Sequence, residues 1–146
     1  MSKLVIGSDH GGFSLKEAIK EHLGACGIEV TDMGTHSLDS VDYPDIAVAV
    51  AKAVAEGKYE RGIIICGTGI GVSIAANKVP GIRAALCHDT FSAQMSREHN
   101  DANILTMGER VIGPGLACLI VDTWLKASFA GGRHARRVEK LKALDQ

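Results

Sequence analysis

The sequence has almost no charge imbalance: 16 Lys and Arg stand against 17 Asp and Glu, a formal net charge of −1. That balance argues against a protein built to coat nucleic acid or a membrane surface. Its four cysteines (Cys26, Cys66, Cys87, Cys118) form no CxxC pair and no short spacing suited to zinc, so free thiols in a reducing cytoplasm are the simplest account. No stretch reaches the roughly 20 apolar residues that span a bilayer. "VAVAKAVA" is broken by Lys52, and "LACLIV" runs straight into Asp122. The N-terminal "KLVIGSDHGG" has too short an apolar run for a secretory signal. Repeats, low-complexity segments and long linkers are also missing, which leaves a cytoplasmic single domain over residues 1–146.

What is present is an alternation of short apolar runs with helical patterns. "KLVIGS", "IEVTDM", "RGIIICG", "GIRAALC" and "ANILTMG" read as five buried strands. Between them lie helical segments: one from Ser14 (as N-cap) to the stop at Gly27, one with Pro44 in its first turn, and two more starting at Gly71 and at Asp89. A fifth follows Gly113, and a last amphipathic helix covers about 134–145. Such alternation predicts a five-stranded parallel sheet covered on both faces, a doubly wound, Rossmann-like α/β/α sandwich. Ligands of such sheets bind beyond the carboxyl ends of the strands. The segments found there, "SDHGGF", "CGTGIG", "CHDT" and "GERV", hold nearly all the chemistry of the chain.

In "ICGTGIGVSIAANK", Gly67, Gly69 and Gly71 can take positive φ and leave N–H groups open at a helix start, an anion site. The spacing is neither a Walker loop nor GxGxxG, so the loop does not single out a nucleotide. Asp89, roughly twenty residues on, sits where a dinucleotide fold keeps its ribose-binding acid, a weak likeness. Cys66 is either core packing or a thiol aimed at the loop's ligand; the helix N-terminus beside it favours thiolate. Cys26 and Cys118 read as core, and so does Cys87 at a strand end. Asp9 and His10 either cap a turn or touch a ligand on the same sheet edge. His99 and Asn100 end a helix, where a capping role is the plain alternative. His22, His36 and His88 read as surface or loop residues, with His88 nearest the edge.

Four of the five residues from Arg133 to Arg137 are basic, and Arg133 and Arg137 share a helical face. A solvated surface helix is one reading and a phosphate clamp the other. Without interleaved aromatics the cluster makes a poor nucleic-acid stripe.

Taken in order, "SDHGGF", "DYPD", "CGTGIGVSIAANK", "GIRAALC", "SREHNDANIL", "GERVIG" and "GGRHARRV" resemble the ribose-5-phosphate isomerase B family. These are metal-free sugar-phosphate isomerases that also include the galactose-6-phosphate isomerase subunits. The resemblance runs over essentially the whole chain. It implies an aldose–ketose isomerase, an intramolecular oxidoreductase that needs no cofactor and no metal. In that family's terms Cys66 is the base that moves a proton between C2 and C1, and His99 helps open the sugar ring with Asp9 beside it. Gly67, Thr68, Gly69, Ile70 and Gly71 match the loop that holds the enediolate oxygens, Thr68 reaching a substrate hydroxyl. His10, Asn100, Arg110, Arg133 and Arg137 match substrate-binding positions, with Tyr43 and His134 as lesser matches. One branch replaces the cysteine by a glutamate just after the loop; here that position is Val72, which places the chain in the cysteine branch.

Because His99 and Asn100 precede the fifth strand, they belong at the amino edge, opposite Cys66. They, and with them Arg133 and Arg137, are expected to reach the site across a symmetric interface. The resemblance implies a homodimer or dimer of dimers with a shared active site, a phosphorylated sugar as partner, and neither nucleic acid nor membrane. Ribose 5-phosphate is the expected substrate, allose or galactose 6-phosphate the alternative. A non-catalytic phosphate- or nucleotide-binding module is the other class that the loop and arginines allow.

Overall fold

A computed structural model describes residues 3–145. Five strands, β1 (Leu4–Ser8), β2 (Val30–Asp32), β3 (Arg61–Cys66), β4 (Ala84–Leu86) and β5 (Ile104–Gly108), form one parallel sheet in the order β2-β1-β3-β5-β4. Six helices join or follow them: α1 (Phe13–Ala25), α2 (Tyr43–Ala55), α3 (Ile70–Asn77), α4 (Thr90–Glu98), α5 (Pro114–Lys126) and α6 (Arg133–Lys142). The expected α/β/α sandwich is therefore what forms. None of these helices is long and apolar enough to cross a membrane.

The period of two along β1 and β3 sorts the core into two layers. Leu4, Ile6, Ile63 and Ile65 pack against α1, α4 and α5, where Trp124 is the largest fully buried side chain. Val5, Ile64 and Cys66 point the other way, onto Val50 and Val54 of α2 and Val72 and Ala76 of α3. Each fully buried Ile or Leu contributes roughly 1.5–3 kcal/mol. The same parity aims the Cys66 thiol at α3.

Strand order explains the layers. Right-handed crossovers that travel one way along the sheet put α1 and α4 on one face; those that travel back put α2 and α3 on the other. The chain leaving β3 turns to the α3 face, whereas the chains leaving its neighbours β1 and β5 turn to the opposite face. A crevice thus opens on both sides of the β3–α3 loop, at the carboxyl edge.

Some local expectations are corrected. Ser14 is not the N-cap of α1. The helix starts two residues earlier, and Gly12 holds the cap position with no side chain to offer. The acceptor comes instead from the far end of the chain, where Glu109 Oε1 takes the Leu15 N–H at 2.7 Å. Gly27 does end α1, with the Ile28 N–H bonded to the Leu23 carbonyl at 2.9 Å. The last helix spans Arg133–Lys142 rather than 134–145. Cys26 is exposed and Cys118 half-buried, so neither is a core thiol; Cys87 is buried as expected. Asp89 caps α4, its carboxylate accepting from Ser92 N–H at 2.6 Å, which accounts for it without a ribose.

One ionisable group lies fully inside. The Lys16 ammonium is closed off from solvent and meets Asp32 at 2.5 Å and Glu17 at 3.1 Å. Burial pushes the Asp32 carboxyl up, but hydrogen bonds from Lys16, Lys20 and the Gly34 N–H outweigh it and hold the group at about 2.

Candidate active site

Three loops meet at the carboxyl edge of the sheet. The first leaves β1 through a single 3₁₀ turn, His10–Gly12, capped by Asp9, whose Oδ1 accepts the Gly12 N–H at 3.1 Å. The second is the β3–α3 loop, and the third leaves β5 at Glu109 and Arg110. They are tied together: Asp9 N–H donates to the Ile65 carbonyl at 3.3 Å, Glu109 N–H to Cys66 at 3.0 Å and Arg110 N–H to Gly67 at 3.0 Å.

Cys66 ends β3 with only 5% of its surface exposed. Its Sγ accepts the Gly69 N–H at 3.1 Å, across the start of α3. That donor and the positive end of the helix both stabilise a sulfur anion. Among the described residues nothing accepts a hydrogen bond from the N–H of Gly67, Thr68 or Gly71. The loop therefore presents a buried thiol beside unpaired backbone donors, the parts an oxyanion requires.

Only Gly69 of the three loop glycines takes positive φ, at 79°. A side chain there would also run into the Met107 backbone at 2.7 Å. Of the other two, Gly67 has room for a Cβ in ordinary contact and Gly71 has none. A Cβ on Gly67 would lie 3.5 Å from Arg110 Cδ, and one on Gly71 would enter the Tyr43 ring, with Cζ 2.6 Å away. Arg110 and Tyr43 thus flank the loop from opposite ends. His10 faces the same edge, its Nδ1 accepting the Val41 N–H at 3.1 Å, which leaves Nε2 to carry the hydrogen when the ring is neutral. Thr68 is exposed, and its Oγ1 accepts the Ile70 N–H at 3.2 Å.

The structure brings Asp9, His10, Tyr43, Cys66, Gly67, Thr68, Gly69, Ile70, Gly71 and Arg110 to this edge. It does not bring the rest there. His99 is the C-cap of α4, and Asn100 lends its carbonyl to Arg83 at 3.2 Å, at the start of β4. In the register of β3 with β5, Cys66 pairs with Gly108 and Gly62 with Ile104. Four strand steps, about 13 Å, therefore separate the two edges. Asp9 consequently stands with Cys66 and away from His99 of the same chain.

At the amino edge a second group gathers. The rings of His99 and His134 stack with centroids 4.1 Å apart and an interplanar angle of 11°. Arg133 and Arg137 are exposed on the first turns of α6, whose N-cap, Gly132, makes no side-chain cap bond. Desolvation, then the positive charges of His99, Arg133 and Arg137, holds the His134 imidazole below its ordinary value. Cations at the positive end of a helix repel it, a cost that an anion would reverse.

Three groups position the loops through partners that no local pattern specifies, although His88 and Glu109 stand in the edge segments "CHDT" and "GERV". Thr106, fully buried, donates its hydroxyl to the Gly69 carbonyl at 3.1 Å and pins the loop. His88 Nε2 accepts the Gly108 N–H at 2.9 Å, where Gly108 packs under Thr68. Glu109 locks the β5 loop to α1 through Leu15. Each acts across 20 or more residues of sequence, so no spacing rule would find it.

Comparison with known proteins bears on this arrangement. The Escherichia coli protein named ribose-5-phosphate isomerase B is 54% identical over 146 residues, covering 100% of this chain and 98% of that protein. A Pectobacterium atrosepticum protein named D-erythrulose-4-phosphate isomerase is 48% identical, with 97% and 93% covered. The structure of a Clostridium thermocellum ribose-5-phosphate isomerase B superposes with a TM-score of 0.95 at 63% identity, over 97% of this chain and 96% of that one. The model of the Ribose/Galactose Isomerase family matches residues 4–141. With its parallel sheet, its thiol-bearing loop and this match over nearly its whole length, the chain belongs to the ribose/galactose isomerase family.

Proposed function

We propose that this chain interconverts ribose 5-phosphate and ribulose 5-phosphate, with Cys66 as the base. The observation that carries this reading is the Cys66 sulfur held by Gly69 N–H beside unpaired loop donors, in a chain with these relatives. The thiolate removes the C2 proton of the open-chain aldose, and the electrons move into a C1–C2 enediolate. The N–H groups of Gly67, Thr68 and Gly71 stabilise its oxygens while the O2 hydroxyl proton passes to O1, and the thiol returns the proton to C1 as the C2 carbonyl forms, giving the ketose. His10 and Tyr43 border the space above the loop and orient sugar hydroxyls, and Arg110 adds positive charge beside Gly67.

The groups at the amino edge complete the site from a second subunit. His99 of the partner subunit opens the ring, and its Asn100, Arg133, His134 and Arg137 hold the phosphate. Two features support sharing: the distance between the edges within one chain, and Ile70 and Ile74 on α3, 51% and 57% exposed beside the site. Anchoring the phosphate on one subunit and reacting on the other spends binding energy on orientation of C1 and C2.

NMR in D₂O containing EDTA tests the activity directly. Ribose 5-phosphate is expected to yield ribulose 5-phosphate with deuterium at the exchanging carbon. Neither product nor deuterium uptake would overturn the assignment. Parallel runs with erythrulose 4-phosphate and with galactose 6-phosphate decide whether the pocket prefers a shorter or longer chain.

A further inference from the structure

On the far side of the molecule from the thiol loop, α1 and α5 pack against each other. α1 carries His22 in its last turn and ends at its C-cap Cys26, four residues on and on the same side. On the facing helix Cys118 and Asp122 repeat that spacing. His22 Nε2 lies 2.8 Å from Asp122 Oδ1 and 3.9 Å from Cys26 Sγ, and one ligand atom from each of the three lies within 4.8 Å of the others. His22 and Asp122 are half-buried, whereas Cys26 opens to solvent, so the group has both a rigid floor and a way in. Neither thiol has a disulfide partner.

We propose that His22, Cys26 and Asp122 form a binding site for a borderline-soft divalent cation of the zinc type, unconnected with the isomerase reaction. An imidazole nitrogen, a thiolate and a carboxylate oxygen are the donor types such an ion takes, at about 2.0–2.3 Å from the metal. Those bond lengths put ligand atoms in a tetrahedron about 3.3–3.8 Å apart. Side-chain adjustments of under about 1 Å bring the two observed spacings into that range. The fourth position falls to water. Binding releases the Cys26 thiol proton and moves the His22 ring hydrogen to Nδ1, which frees Nε2 to ligate. The metal would staple the end of α1 to α5.

Cobalt(II) titration of the reduced full-length protein tests this, because cobalt takes zinc sites and reports thiolate ligation by a charge-transfer band. One equivalent is expected to bind with that band present, and one equivalent of zinc to displace it. Cys26→Ser should abolish the band, Asp122→Asn should weaken cobalt binding at least about tenfold, and Cys66→Ser should leave the band unchanged. Zinc should raise the melting temperature of the parent protein but not of His22→Ala. Asp122→Asn keeps the side-chain shape, so its reading stands even where His22→Ala is poorly folded. Absence of a band, a band that survives Cys26→Ser, or one lost only in Cys66→Ser would overturn the proposal.

Discussion

The two halves of the proposed site are built in opposite ways. At the carboxyl edge the thiol is buried, and the backbone around it is fixed by Thr106, by the Asp9 cap and by the amides of Glu109 and Arg110. At the amino edge His99, Asn100, Arg133, His134 and Arg137 are exposed or half-buried, and α6 sinks only Val138 into the core. Chemistry at carbon needs donors held to a fraction of an ångström in a site that excludes water. Capture of a dianion needs charge at reach, and long flexible arginines supply it without such rigidity. The division of labour follows from what each step demands.

Substitutions in the rigid half should cost the most. Cys66→Ser is expected to lower kcat about 10³-fold with KM nearly unchanged, read by steady-state kinetics. Retained turnover would remove the base from the scheme. Gly69→Ala forces a side chain onto a 79° φ and into Met107, so urea unfolding should show a loss of about 1–3 kcal/mol together with reduced kcat. A neutral outcome would mean that the loop geometry is not needed. In the exposed half, Arg137→Ala should act on substrate capture, raising KM about tenfold with a smaller change in kcat. A pure kcat effect would place the guanidinium at the reacting carbons instead. The smallest signal is the most telling about the boundary between the halves. Neither Cys66→Ala nor His99→Ala is expected to turn over alone. Re-associated as an equal mixture, half the dimers are mixed and each holds one intact site, about a quarter of the parent activity. No recovery would confine each site to one chain.

Legibility in the sequence followed the range of the interaction. The strands, the α2 start at Tyr43–Pro44 and the stop at Gly27 were readable because apolar period, proline and glycine act within a few residues. The cap of α1 was not, since Ser14 looked sufficient locally and the acceptor is Glu109, 94 residues away. Cys26 and Cys118 were misread as core for a related reason. They continue apolar helical faces, but the rim of the α1–α5 contact leaves them in or near solvent. The loop glycines are marked out in the sequence, yet which of them must be glycine, Gly69 for its positive φ and Gly71 for the Tyr43 ring, is decided only in three dimensions.

By itself the sequence determined the alternation of strand and helix, which side chains of a strand share a face, and the motifs that mark the family. Periodicity and turn chemistry are local, and they survive in a string of letters. Tertiary structure alone decided that β3 runs between β1 and β5, and with it the crevices on both sides of the Cys66 loop. It also decided that His22, Cys26 and Asp122 meet and that Cys66 and His99 do not, because strand order and helix packing join residues the chain keeps far apart.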